Sequence, residues 1–134
     1  MYGRFWIAVA AVLASAGVAA GAIGTHVLKE SLKLPASELE TYDIAVRYQV
    51  YHSLGMAIVG LLSARLTSRW LTASGTLMLL GAVLFSGGIY AWLATGQTPF
   101  IHVVPIGGSA WILAWLLLAL GALFGTPRDS GDST

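Results

Sequence analysis

Residues 5–28 contain only three polar side chains, Ser15, Thr25 and His26, in a run otherwise made of Ala, Val, Leu, Ile, Gly, Phe and Trp. That exceeds the roughly 20 residues an α-helix needs to cross a hydrocarbon core. The pattern repeats, with further apolar runs over residues 38–64, 70–95 and 102–124 and short polar breaks between them. A backbone in lipid has to satisfy its own N–H and C=O groups, which leaves helices as the spanning structures for runs of this length. The spacing predicts an all-α integral membrane four-helix bundle with short loops. It forms one domain over residues 1–126, with helices at about 5–28, 38–64, 70–95 and 102–124 and a disordered polar tail over 127–134. Composition agrees, since only 10 % of the residues are charged, against roughly a quarter in soluble domains. A net charge of +1 gives no basic stripe for nucleic acid. The absence of cysteine excludes disulfides, thiolate metal sites and cysteine nucleophiles.

The first run opens with Met1-Tyr2-Gly3-Arg4 and carries Ala14-Ser15-Ala16 and Ala19-Ala20, which imitates a secretory signal. It continues well past those small residues, so it is expected to be retained. Gly17, Gly21 and Gly24 suit close packing of a second helix. Residues 29–41 read as an exposed loop broken by Pro35, and Ser37 with Glu40 has capping-box spacing, so the next helix is expected near Glu38. Arg65 and Arg69 bracket a basic turn, and Gly96-Gln97-Thr98-Pro99 forms another. If both termini share a side with the basic turn, that side holds Arg4, Arg65, Arg69 and Arg128, and the other holds Lys29 and Lys33 with the embedded Arg47. The positive-inside rule then predicts a multi-pass protein of the cytoplasmic (inner) membrane with both termini in the cytoplasm. His26, residues 43–52, Ser86 to Tyr90 and His102 to Ser109 would all fall in the outer half.

The polar residues concentrate in Tyr42-Asp43-Ile44-Ala45-Val46-Arg47-Tyr48-Gln49-Val50-Tyr51-His52. An Asp or Arg at the centre of a spanning helix costs about 2.5–3.5 kcal/mol on insertion scales, so this segment needs partners. Asp43 with Arg47, and Tyr48 with His52, are spaced as helix neighbours, on faces roughly 140° apart. The plain expectation is an interfacial Asp43–Arg47 ion pair inside an aromatic belt of Tyr42, Tyr48 and Tyr51. His52, well inside its helix, calls for Ser86, Tyr90 or a carbonyl near Gly88 as a packing partner, or for a ligand or proton in a cavity. The candidate polar cluster is His26, Asp43, Arg47, Tyr48, Gln49, His52, Ser86 and Tyr90. His26, His52 and His102 suit a zinc, copper or bis-histidine haem site by residue type, but they lie in no spaced ligand motif, and no cofactor is expected. Ser86-Gly87-Gly88 lacks the preceding glycine and strand of a nucleophile elbow. An acid–base pair of Asp43 and His52 would lie on separated helix faces. The residues therefore predict a non-enzymatic structural or accessory component that packs with another membrane protein or with itself. The alternative is a small-molecule- or proton-handling protein with an outer-half cavity around His52.

Four ordered motifs carry a resemblance: Gly21-Ala22-Ile23-Gly24-Thr25-His26-Val27-Leu28-Lys29; Val46-Arg47-Tyr48-Gln49 with Tyr51-His52; Leu84-Phe85-Ser86-Gly87-Gly88-Ile89-Tyr90 with Thr95-Gly96; and Pro105-Ile106-Gly107-Gly108 with Trp115. Over residues 21–118 the chain resembles the small bacterial membrane proteins catalogued as domain of unknown function 423, to which the eukaryotic transmembrane protein 256 group is similar. Thr25 stands where that family usually has Ala, Gly88 where it often has Ser, and Val104 where Thr commonly precedes the proline. The resemblance implies four transmembrane helices and an uncleaved first segment, and it brings no established activity.

Overall fold

In the computed structural model, which describes residues 2–128, the chain folds as four helical rods. The first is α1 (Tyr2–Ile23), which runs without a break into a π-helical segment, Gly24–Ser31. The second is α2 (Ala36–Arg65). The third comprises α3 (Arg69–Gly81), a second π-helical segment (Ala82–Gly87) and α4 (Gly88–Thr95). The fourth joins the short α5 (Thr98–His102) to α6 (Val104–Phe124). The all-α four-helix class read from the apolar runs is the class adopted.

The connections are tighter than the sequence suggests. The loop expected over residues 29–41 contracts to residues 32–35, because Lys29, Glu30 and Ser31 prolong the first rod in wide turns. Leu32 N–H bonds the Val27 carbonyl at 2.8 Å and Leu34 N–H the Leu28 carbonyl at 3.0 Å, with Lys33 turning the chain at a positive φ of 52°. The expected Ser37–Glu40 capping box does not form. Pro35 stands just before α2, and its carbonyl accepts from the N–H groups of Glu38 and Leu39. The helix thus starts at Ala36, Ser37 falls inside its first turn, and the cap position belongs to a residue without a capping side chain. At the opposite end, Ser68 caps α3 by accepting from Trp70 N–H. There the strand β1 (Leu66–Thr67) pairs antiparallel with β2 (Thr126–Pro127), and Arg128 N–H reaches the Arg65 carbonyl at 2.9 Å. The start of the expected tail is therefore hydrogen-bonded to the basic turn, and the rest of it, from residue 129, lies outside the described residues.

Small residues set the helix spacing. A Cβ on Gly3 would stand 2.6 Å from the Gly60 carbonyl oxygen, and one on Gly24 would stand 2.8 Å from the Tyr42 ring, so the first rod and α2 lie in close contact at both of these levels. Gly75 receives the Trp6 indole, and Gly121 receives Leu71. Trp6, Ala10, Met56, Val59, Leu71, Met78, Ala114 and Leu118 form the core, drawn from all four rods.

Three rods, residues 3–31, 69–95 and 98–124, are long and apolar enough to cross a membrane. The 30-residue α2 is as long but falls outside that class on composition. In its membrane-length part the polar side chains of Gln49, His52, Ser53 and Ser63 are buried, while Leu54, Ile58 and Leu61 lie on the outer surface.

Candidate functional site

α2 turns Tyr42, Gln49, His52 and Ser53 inward, and each of these meets a defined partner. Gln49 uses both ends of its carboxamide. Its Nε2 donates to the Leu13 carbonyl of α1 at 2.8 Å, and its Oε1 accepts from the Tyr90 hydroxyl of α4 at 3.0 Å. One turn away, Ser86 of the second π-helical segment donates to the Ala45 carbonyl at 2.8 Å. Tyr42 donates to the Ala20 carbonyl at 2.8 Å, and its ring packs on Tyr90 with centroids 5.2 Å apart. Gln49, Tyr90, Ser86 and Tyr42 thus tie three rods together over about two turns of α2. Ser74 to the Ala114 carbonyl and Trp111 Nε1 to the Met78 carbonyl do the same between the third and fourth rods. Among the described residues no buried side-chain nitrogen or oxygen lacks a partner.

His52 belongs to a different neighbourhood. With α2 starting at Ala36, it lies about 24 Å down the helix at 1.5 Å per residue, close to its midpoint. Its partner is neither Ser86 nor Tyr90: Nδ1 makes a 2.7 Å hydrogen bond to the Tyr48 carbonyl of its own helix, with Nδ1–H as the donor. The ring lies flat on Trp111, centroids 3.7 Å apart and planes 6° apart, with Trp115 edge-on at 6.2 Å. Tyr48 and Phe85 pack around the same indole. Nδ1–H donation leaves the Nε2 lone pair outside any side-chain hydrogen bond.

The eight candidate residues therefore divide into three groups. Gln49, Ser86 and Tyr90 meet in the interhelical network. His52 and Tyr48 share the aromatic cluster on Trp111, with Tyr48 exposed on its outer side. His26, Asp43 and Arg47 stay on the exposed rim: His26 Nδ1 lies 3.3 Å from Glu30, and Arg47 Nε lies 3.1 Å from Asp43. Exposed pairs of this kind contribute about 0.2–1 kcal/mol. His102 is exposed at the end of α5, so the three histidines occupy separate places, and among the described residues no three His, Asp or Glu side chains converge.

Sequence reasoning missed Trp111 and Ser74, which sit inside apolar runs, and read Tyr42 as belt instead of a buried donor. The available signal was positional. A hydroxyl or indole N–H deep in an otherwise apolar helix must find an acceptor on a neighbouring helix or on its own preceding turn.

Similarity to known proteins agrees with this architecture. Residues 20–108, which include every candidate residue, match the family described as "Protein of unknown function (DUF423)". The chain is 33 % identical over 121 residues to "UPF0382 membrane protein YwdK" of Bacillus subtilis, covering 90 % of this chain and 97 % of that one. It is 36 % identical over 118 residues to "UPF0382 membrane protein SSP2132" of Staphylococcus saprophyticus, covering 88 % and 96 %. It is 32 % identical over 123 residues to "UPF0382 inner membrane protein YgdD" of Escherichia coli, covering 92 % of each. No solved structure matches significantly. A four-helix chain with three membrane-length apolar rods, matched over most of its length by these relatives, is a membrane protein and belongs to the DUF423 family.

Proposed function

We propose that this protein is a non-enzymatic structural or accessory component of the cytoplasmic membrane, crossing it four times and associating laterally with another membrane protein or with a second copy of itself. The observation that carries this reading is the engagement of the inward polar side chains of α2, Gln49 above all, in hydrogen bonds that hold rods together. A helix too polar to span on composition becomes compatible with lipid once those groups are satisfied inside the bundle. The orientation is supported by the positive-inside rule, with Arg4, Arg65, Arg69 and Arg128 at the end where β1 meets β2. The experiment is native mass spectrometry after mild solubilisation. A stoichiometric complex above the monomer mass is expected, and a lone monomer, with or without bound lipid, would overturn the reading. The chain lacks cysteine, so single cysteines at Gln97 and Thr67 report sidedness cleanly. Gln97 is expected to label from outside and Thr67 from the cytoplasm.

A second reading, proton or small-molecule handling at His52, is favoured by one observation: Nε2 makes no side-chain hydrogen bond and reaches the surface at the edge of a ring otherwise stacked and buried. His52→Leu separates the two. As a packing residue, His52 loses its stack on Trp111, worth about 0.5–1.5 kcal/mol, and function survives. Loss of function in a variant that keeps its melting temperature would establish the second reading instead.

A further inference from the structure

The π-helical end of the first rod and the first turns of α2 enclose an open groove of about 440 Å³. Its floor is apolar and aromatic, from Gly21, Val46, Leu39 and the ring of Tyr42. One wall presents Lys29, and the other presents Glu40 and Asp43. Asp43 is taken by Arg47 at 3.1 Å. Lys29 and Glu40 are both exposed and, among the described residues, neither is within ion-pair distance of an opposite charge. Two opposite charges thus line one groove without closing on each other.

The level of the groove in the bundle is fixed by Tyr42. Its ring packs on Tyr90, which lies five residues before the Thr95 end of α4, so the charges sit where the apolar rods end and the polar headgroup layer begins. The rod is π-helical there. Segments of π-helix are usually single-turn bulges and are frequent at functional sites, whereas this one runs for eight residues and carries Gly24, Thr25 and Lys29 to the groove.

We infer that this groove binds a phospholipid whose headgroup joins a phosphodiester to a primary ammonium, as in phosphatidylethanolamine. Lys29 takes the phosphate, Glu40 takes the ammonium, and the glycerol and upper acyl chains lie along Gly21, Leu39 and Val46. A purely anionic lipid would leave Glu40 facing negative charge. A quaternary ammonium carries no N–H to donate to the carboxylate. The site is independent of whether the protein acts as an accessory component.

The test is native mass spectrometry of the full chain from mixed micelles holding equal amounts of phosphatidylethanolamine, phosphatidylglycerol and phosphatidylcholine with matched acyl chains. The wild type is expected to retain the ethanolamine lipid in preference to both others. K29A and E40Q should each lower that retention about threefold or more, while K33A, outside the groove, leaves it unchanged. All three positions are exposed, and an unaltered melting temperature shows that folding is intact. Equal retention of the three lipids, preference for phosphatidylglycerol, or variants that retain lipid as the wild type does would each overturn the proposal. So would soluble glycerophosphoethanolamine displacing the lipid at equal concentration, because the acyl chains would then have no part in binding.

Discussion

Alanine at Gly107 is expected to destabilise the bundle by about 1–3 kcal/mol, the usual cost of forcing extra volume into a packed interior, whereas alanine at the adjacent Gly108 is expected to be neutral or slightly stabilising. Intrinsic helix propensity favours alanine over glycine by about 1 kcal/mol at both positions, so the contrast comes from the surroundings. A Cβ on Gly107 would stand 2.5 Å from the backbone nitrogen of Phe85 and 3.0 Å from the Leu84 carbonyl carbon. Backbone of the third rod cannot give way as a side-chain tip can, so α6 has to move off it. A Cβ on Gly108 meets only the Phe85 ring edge at 3.7 Å, an ordinary contact. Reversible unfolding in mixed micelles measures both variants, and equal behaviour of the two alanines would show that the close approach of α6 to Phe85 does not exist.

Gln49→Leu should cost about 1–3 kcal/mol, because it removes two hydrogen bonds and strands the Tyr90 hydroxyl, which is half-buried, without its acceptor. Interhelical hydrogen bonds in membranes average nearer 0.6 kcal/mol each, with a maximum of about 1.7, which places the expectation in the lower part of that range. Tyr90→Phe alone gives up one bond but keeps the ring on Tyr42, so its loss is smaller. The informative result is the double variant. Once Gln49 is leucine, taking the hydroxyl off Tyr90 should cost nothing or restore some stability, since the orphaned group goes with it. Strict additivity of the two losses would mean that the carboxamide and the hydroxyl do not act together.

The four rods were legible because lipid imposes a length and an apolar composition that local sequence displays directly. The rod ends were less so. Lys29, Glu30 and Ser31 have the composition of a loop, yet they continue the helix, since exposed charged residues at a helix end carry no penalty that would mark the boundary. The two π-helical segments left no trace in hydropathy, because the choice between bonding four or five residues back is made by packing against another helix. Within the candidate site, periodicity separated the Asp43–Arg47 face from the His52 face, and the structure keeps them apart. It could not assign His52 to Trp111 or Gln49 to Leu13, since the side-to-side order of helices depends on shape complementarity across 36 or more residues of chain.

The second widened segment, Ala82–Gly87, holds a residue in excess of an α-helix. A π turn contains one residue more than an α turn, so excising a single residue there would give an unbroken α-helix of nearly the same reach with its distal half still facing as it does now. The same deletion in the regular helix of α3 would instead turn everything after it by about 100°. Tyr90 would then swing away from Gln49, and Gly88 would no longer face the Phe100 carbonyl that now lies 2.9 Å from where its Cβ would be. A one-codon deletion within Ala82–Gly87 should therefore be tolerated better than one within α3, and a compensating insertion within a turn of an α3 lesion should restore the original direction.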